Sequence, residues 1–125
     1  MEKENVLKQK SFQFAVRIVR LFKFLRNKKE WVLSKQILRS GTSVGANVYE
    51  AEHSESRADF IHKIAVGQKE INETLYWLEL LRETEYISQK EFDSIHTDAL
   101  EILKLITASL KTAKSSFSKT LTINH

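Results

Sequence analysis

Two pairs of acidic and histidine residues have the spacing of metal ligands on a helix. Glu50 and His53 form a Glu-x-x-His motif, and Asp93 and His96 form a shorter relative of it. A di-metal site in a helical bundle needs two such motifs, together with a carboxylate from each of the other helices, at one level. The first predicted helix has no acidic residue after Glu4, and the two histidines fall near opposite ends of parallel helices. We therefore interpret both spacings as chance and expect no metal site.

No other arrangement of reactive residues predicts catalysis. The chain has no cysteine, which excludes disulfides, thiol catalysis and cysteine-based metal clusters. Its serines have no local setting that indicates activation as a nucleophile. Gly41 and Gly45 are followed by Ala46 and Asn47 rather than by the Lys and Ser/Thr of a phosphate-binding loop. We expect a protein that is not an enzyme and that has no cofactor and no small-molecule substrate.

The elements that carry these residues are predicted to be four helices. The chain has no proline and only three glycines, which argues against a turn-rich β fold. Apolar spacing and capping patterns place the first two helices at about residues 5–26 and 31–53, open the third after Ser56 with a seam as far as Leu81, and run the fourth from the Ser88 capping box to about residue 115. Short links between long helices make neighbours antiparallel. The sequence predicts an all-α, up-down-up-down four-helix bundle, formed as one domain over residues 1–125 with a frayed tail from about 116 to 125.

Helix ends and buried seams follow from local patterns. Asn27 with Glu30 is predicted to cap the second helix, and Ser56 and Ser88 open capping boxes for the third and fourth. The third helix has a heptad-like apolar seam that includes Gly67, and the fourth has a seam starting at Phe92. Gly41 and Gly45 share one helix face, where they cost about 2 kcal/mol relative to alanine. We expect close approach of a neighbouring backbone to offset that cost.

Positive charge is concentrated in the first helix. Residues 1–29 hold nine Lys/Arg against two Glu, a net charge of +7 in a chain whose total is +4. This asymmetry indicates an acidic partner, either nucleic acid or an acidic protein surface, or else a solvated helix face. Phe24 is predicted to point outward among these cations, where an aromatic ring would suit base stacking. The candidate surface comprises Lys10, Arg17, Arg20, Lys23, Phe24, Arg26, Lys28 and Lys29.

Some apolar residues remain after the predicted core is filled. Val16 lies near the basic face of the first helix, and Trp77 and Leu80 fall off the seam of the third. Apolar and aromatic residues of this kind commonly mark protein contacts, so we expect a homo-oligomer that uses them. The N-terminus has no apolar signal region, and no apolar run has the length of a membrane span. We expect a cytoplasmic protein without a membrane partner.

The segment from Leu38 to Ala51 resembles the signature of the bacterial proteins encoded by intervening sequences of 23S ribosomal RNA genes. The residues that match the first part of that signature are Arg39, Ser43, Val44, Ala46, Asn47, Val48 and Glu50. Ser56, Asp59 and Phe60 match its second part, and the Gly67 region and Glu73 to Leu78 match its third. The resemblance spans roughly residues 8–115. Glu52 and His53 stand where a glycine is usual.

The resemblance implies a homopentameric ring of bundles with a basic surface and no established enzymatic activity. It extends to the accessory proteins of diversity-generating retroelements, which bind a reverse transcriptase and associate with nucleic acid. We interpret Arg39, Ser43, Asn47 and Glu50 as bundle residues that hydrogen-bond across helices and fix their register. The leading hypothesis is a non-enzymatic oligomer that binds structured RNA, or a nucleic-acid-bound protein, through the first helix. The alternative is an oligomeric interaction scaffold without direct nucleic-acid contact.

Overall fold

The fold is an antiparallel four-helix bundle, as the sequence predicts. The computed structural model describes the backbone of residues 2–124 and the side chains of residues 6–119. The helices are α1 (Glu2–Asn27), α2 (Leu33–Glu52), α3 (Arg57–Glu83) and α4 (Gln89–Asn124). Within the described residues α1 packs on α2, α2 on α3, α3 on α4, and α4 returns to α1. No pair of diagonal helices comes into close backbone contact over those residues, which is the arrangement of an up-down-up-down bundle.

The predicted seams form the core. Along α3, every seam position from Ile64 to Leu81 is buried, and Phe60 is half-buried. Along α4, the seam from Phe92 to Ala113 is buried except for the half-buried Ser109. Alternating steps of three and four keep one face of each helix toward its neighbours, so local periodicity is enough to select these residues. The largest fully buried side chains are Leu7, Phe14, Ile18, Leu25, Ile37, Ile64, Ile71, Leu78, Leu81, Ile102 and Ile106.

Helix starts are fixed by nearby side chains. Ser88 and Glu91 form the full predicted capping box, because Ser88 Oγ accepts from the Glu91 N–H at 3.1 Å and Glu91 Oε1 accepts from the Ser88 N–H at 3.0 Å. Ser56 Oγ accepts from the Asp59 N–H at 3.0 Å. The predicted capping role of Asn27 is wrong, since Asn27 is the last residue of α1. Glu30 instead provides a hydrogen-bond acceptor for a backbone N–H at the start of α2. Its carboxylate accepts from the Ser34 N–H at 2.6 Å.

Two helices end at a left-handed residue that is not glycine. Lys29 has φ 64° after α1, and Glu85 has φ 66° after α3. In both places the next N–H bonds to a carbonyl five residues back, from Glu30 to Leu25 and from Tyr86 to Leu81, at 2.9 Å. These are Schellman endings, which normally favour glycine at the left-handed position. They reverse the chain within a few residues and make the links short.

The fourth helix is longer than the sequence predicts. The Ser/Thr-rich composition after Ser115 predicts a frayed tail, whereas α4 continues to Asn124. At 1.5 Å per residue its 36 residues span roughly 54 Å, against roughly 40 Å for the 27 residues of α3. The start of α3 meets α4 at Arg57, whose guanidinium donates to Ser116 Oγ at 2.5 Å. The end of α4 therefore extends past the rest of the bundle.

Candidate nucleic-acid interface

Two of the predicted surface cations are engaged by α4. Arg17 donates to Asp98 Oδ2 at 2.6 Å, to the Ser94 carbonyl at 3.3 Å and to Ser94 Oγ at 3.1 Å. Lys10 forms an ion pair with Glu101. The hydrogen bond and the charge of that carboxylate raise the pKa of Lys10. Arg17 and Lys10 therefore tie α1 to α4, and their charge is balanced within the bundle.

The cations nearer the end of α1 have no such balance. Arg20, Lys23, Lys28 and Lys29 are exposed, and none of them forms an ion pair with a described carboxylate. We call these four residues the α1 cationic surface. The charge of Lys28 helps to lower the pKa of Glu91, whereas Arg20, Lys23 and Lys29 keep their attraction for an anion outside the protein. The structure thus narrows the predicted basic face to this surface.

The aromatic residue best placed for stacking is Trp31 rather than Phe24. Phe24 is half-buried and packs against the core, with Lys28 Nζ 4.8 Å from the ring centroid, so the prediction of an outward Phe24 is wrong. Trp31 is 50% exposed in the link after α1, and the Arg26 guanidinium lies 4.6 Å from its ring centroid. Arg26 is half-buried between this ring and that of Phe22. The sequence does contain a sign of this exposed ring, because Trp31 directly follows Lys28, Lys29 and Glu30. The sequence pattern instead predicts Trp31 at the start of the second helix.

A groove separates α1 from α4 beside the cationic surface. It has a volume of about 450 Å³, with Leu21 and Phe24 on the α1 side and Ile87 and Ile95 on the other. Arg17, Arg20, Lys90, Glu91 and Ser94 complete its lining. A second groove of about 330 Å³ lies along the same helix pair toward Phe12. Arg17 and Arg20 line both grooves.

The four polar signature residues of α2 make two kinds of contact. Arg39 forms ion pairs with Glu70 and Glu73 of α3, and the Glu50 carboxylate accepts from Lys63 Nζ at 3.1 Å. These are cross-helix contacts of the kind predicted.

The other two signature residues bond within α2. Ser43 Oγ donates to the Arg39 carbonyl at 2.6 Å, and Asn47 Nδ2 donates to the Ser43 carbonyl at 2.8 Å. The predicted cross-helix hydrogen bonds of Ser43 and Asn47 are therefore wrong, because each side chain reaches its own preceding turn first.

The Arg39 contact is part of a larger cluster on α3. The Trp77 indole N–H donates to Glu73 Oε2 at 3.0 Å. That hydrogen bond, together with the Arg39 guanidinium, holds the pKa of Glu73 below its ordinary value. Trp77 thus has an intramolecular role in orienting Glu73 toward Arg39.

The apolar residues exposed to solvent differ from those predicted as oligomer contacts. Val16, Trp77 and Leu80 are all half-buried. Phe12 is 68% exposed and Tyr49 is 55% exposed, and both line a groove of about 910 Å³ between α1 and α2. Ala15, Gly45 and Ala46 also line this groove. The combination of large exposed rings and small neighbours is typical of a protein contact surface.

Two of the described histidines, His53 and His96, stack on aromatic rings. The His53 ring stacks on Tyr49 with centroids 4.9 Å apart, and the His96 ring stacks on Phe92 at 4.7 Å. In the part of the chain that the structure describes, no three His, Cys, Asp or Glu side chains converge as a metal-binding group. Among the same residues, no helix has both the length and the apolarity to cross a membrane.

Comparison with known proteins adds the evolutionary context of this bundle. The sequence pattern of the 23S rRNA-intervening sequence proteins matches residues 3–108. A crystal structure from Bacteroides thetaiotaomicron VPI-5482, of a protein with unknown function from the S23 ribosomal protein family, is 59% identical. The similarity covers 87% of this chain and 98% of that one, with a TM-score of 0.86. No curated protein matches the sequence. With the pattern matched over most of its length, the chain belongs to the 23S rRNA-intervening sequence protein family.

Proposed function

We propose that this protein is a non-enzymatic bundle that binds structured RNA through the α1 cationic surface. The observation that carries the proposal is the contrast along α1: Lys10 and Arg17 are paired with α4, while Arg20, Lys23, Lys28 and Lys29 have no ion-pair partner among the described residues. RNA presents closely spaced phosphates, so a row of unpaired cations suits it. The family is named for an element of 23S rRNA, which supports RNA as the anion.

Trp31 supports the same partner. An exposed indole at the same end of the bundle gives a terminal or unpaired base a stacking surface, worth about 1–3 kcal/mol per base.

The carboxylates with lowered pKa support a non-catalytic role. Glu73 is held by Trp77 and Arg39, and Glu91 is held by the Ser88 cap, so each shift has a structural cause.

The first experiment measures the affinity for a fluorescent RNA hairpin between 50 and 200 mM salt. If about four phosphates are neutralised, the logarithm of the association constant should fall with the logarithm of the salt concentration at a slope of roughly −3 to −4. Reversing two cations in Arg20→Glu/Lys23→Glu should weaken binding at least about tenfold and make the slope shallower by about 2.

The matched control is Lys104→Glu/Lys111→Glu on α4, which makes the same change in net charge at exposed residues without ion pairs among the described side chains. Equal losses in both double variants would refute a defined surface on α1. Binding that does not depend on salt would refute phosphate contact altogether.

Trp31→Ala should weaken binding by about 1–3 kcal/mol, while Tyr76→Ala, at an exposed aromatic residue of α3, should not.

The α1/α2 groove supports a second candidate, a homo-oligomeric interaction scaffold. The exposed rings of Phe12 and Tyr49 beside Ala46 would be covered by another subunit. Light scattering tests it: a pentamer of the 14.6 kDa chain has a mass of about 73 kDa, five times the monomer. Phe12→Glu should reduce that mass, and Tyr76→Glu is the control. Co-purification of a cellular partner before and after nuclease treatment separates a protein partner from one bridged by RNA.

A further inference from the structure

The groove between α1 and α4 has the composition of a site for a flat, partly polar ring. Leu21 and Phe24 form one wall and Ile87 and Ile95 the other. Ile87 and Ile95 are buried, and Phe24 and Leu21 pack against the core, so the walls are fixed by the bundle. The volume of about 450 Å³ lies within the range of small-ligand pockets.

The rim of the groove is polar and mostly cationic. Arg17, Arg20 and Lys90 contribute three positive charges, and Glu91 contributes one negative charge. Arg17 is committed to Asp98 and Ser94, whereas Arg20 and Lys90 are exposed and form no ion pair with a described carboxylate. Two free cations beside an apolar slot match a ligand with an apolar face and a phosphate on either side.

The remaining rim groups match the edge of a base. Ser94 and Glu91 both line the groove. Glu91 is kept anionic, because the Ser88 backbone N–H and hydroxyl lower its pKa, so it accepts hydrogen bonds from amino groups. The Ser94 hydroxyl accepts from Arg17 at 3.1 Å and can still donate its own hydrogen. Sequence-specific recognition of RNA commonly uses unpaired bases that leave the stack and present such edges.

We propose that the α1/α4 groove receives the base of one unpaired nucleotide of the bound RNA, with Arg20 and Lys90 holding the adjacent phosphates. This inference rests on the proposed RNA-binding function and makes it more specific. Arg20 belongs both to the α1 cationic surface and to the groove rim, so the phosphate path leads directly to the base site. The protein would then prefer RNA with a bulged nucleotide to a continuous duplex.

The test compares two end-labelled RNA hairpins of the same stem sequence, one fully paired and one with a single bulged nucleotide. The wild-type protein should bind the bulged hairpin about tenfold more tightly, as expected for one stacked base. Leu21→Trp fills the groove without changing charge. It should lower affinity for the bulged hairpin to that for the paired one and leave the paired affinity unchanged. Leu100→Trp, at an exposed position of α4, should keep the preference.

The outcomes separate the two proposals. If neither hairpin binds, the proposed function and the base site are both wrong. If both hairpins bind equally with steep salt dependence, RNA binding stands and the base site is wrong. The same conclusion follows if Leu21→Trp keeps the preference for the bulged hairpin, or if it weakens the binding of both hairpins alike. If an acidic peptide, and neither hairpin, shifts the amide signals of Leu21 and Ile95, the groove is a peptide site and both proposals fail.

A second measurement needs no variant of the protein. A 5-iodouridine placed at the bulge should photocrosslink to Phe24 in the wild-type protein, because the proposed site puts the base against that ring. A crosslink confined to Trp31 or to residues outside the groove would overturn the base site.

Discussion

Gly41 of α2 lies directly against Ile18 of α1. A Cβ on residue 41 would stand 2.7 Å from Ile18 Cγ1, and Ile18 is fully buried, so its side chain has no free space to enter. One turn later, a Cβ on Gly45 would stand 3.1 Å from the Ser11 carbonyl oxygen. The two glycines therefore set the separation of α1 and α2, and close packing offsets their low helix propensity.

We expect Gly41→Ala to lower the free energy of unfolding by about 1–3 kcal/mol, because the new methyl group overpacks a rigid contact. Gly67→Ala is the matched control. Its nearest neighbour would be Ile106 Cδ1 at an ordinary 3.6 Å, so we expect it to raise the free energy of unfolding by up to about 1 kcal/mol. Urea denaturation measures both. Equal stability of the two variants would mean that α1 and α2 are not in close contact at Gly41.

Ser40 and Thr74 join α2 to α3 through a buried hydroxyl pair whose oxygens are 2.8 Å apart. Thr74→Val should cost about 1–3 kcal/mol, because it leaves Ser40 Oγ buried without this partner. The double variant Ser40→Ala/Thr74→Val should recover part of that loss, because neither hydroxyl is then left unpaired. A double-mutant cycle of unfolding free energies gives the coupling. Strictly additive losses would contradict a direct interaction.

Glu85 occupies a left-handed position that favours glycine. Glu85→Gly should stabilise the protein by about 1 kcal/mol, since a side chain in this conformation costs roughly 1–2 kcal/mol. Glu79→Gly, at an exposed position inside α3, should instead destabilise it by about 1 kcal/mol. Thermal unfolding of the two variants should give opposite shifts in Tm. Shifts of the same sign would contradict the Schellman ending of α3.

Glu73 links stability to pH. The Trp77 hydrogen bond and the Arg39 guanidinium lower its pKa in the folded state, so the unfolded chain binds a proton at this site more readily. Its contribution to stability is therefore fully present above the ordinary value of 4.5 and is lost as pH falls through the lowered pKa.

Trp77→Phe removes the indole donor and should raise the pKa of Glu73 toward 4.5, as an NMR titration of its side-chain carboxyl would show. Trp31→Phe is the control, because the Trp31 indole makes no hydrogen bond to a described carboxylate. An unchanged Glu73 titration in Trp77→Phe would show that the indole does not hold this carboxylate.

Several features could be predicted because they depend on residues close in sequence. The buried seam from Ile64 to Leu81 follows from spacing of three and four. The Ser88–Glu91 capping box is complete within four residues. The left-handed endings at Lys29 and Glu85 could not be predicted in this way, because both residues adopt a conformation that sequence patterns assign to glycine.

The pairing and exposure of residues at the candidate site depend on contacts between residues that are distant in sequence. Arg17 and Arg20 look alike in sequence, yet Arg17 meets Asp98, 81 residues later, and Arg20 meets no described carboxylate. Phe24 and Trp31 are both aromatic residues among cations, yet Phe24 packs against the core and Trp31 is exposed. Such differences are set by helix separation and register, which local patterns do not contain.

The sequence by itself determined the number of helices, their buried faces and the concentration of positive charge in α1, because helix periodicity and net charge are properties of neighbouring residues. Only the tertiary structure decided which cations remain unpaired, which rings stay exposed and where grooves open. Those outcomes require residues far apart in the chain to meet at distances of a few ångströms, as Gly41 meets Ile18 and Arg17 meets Asp98.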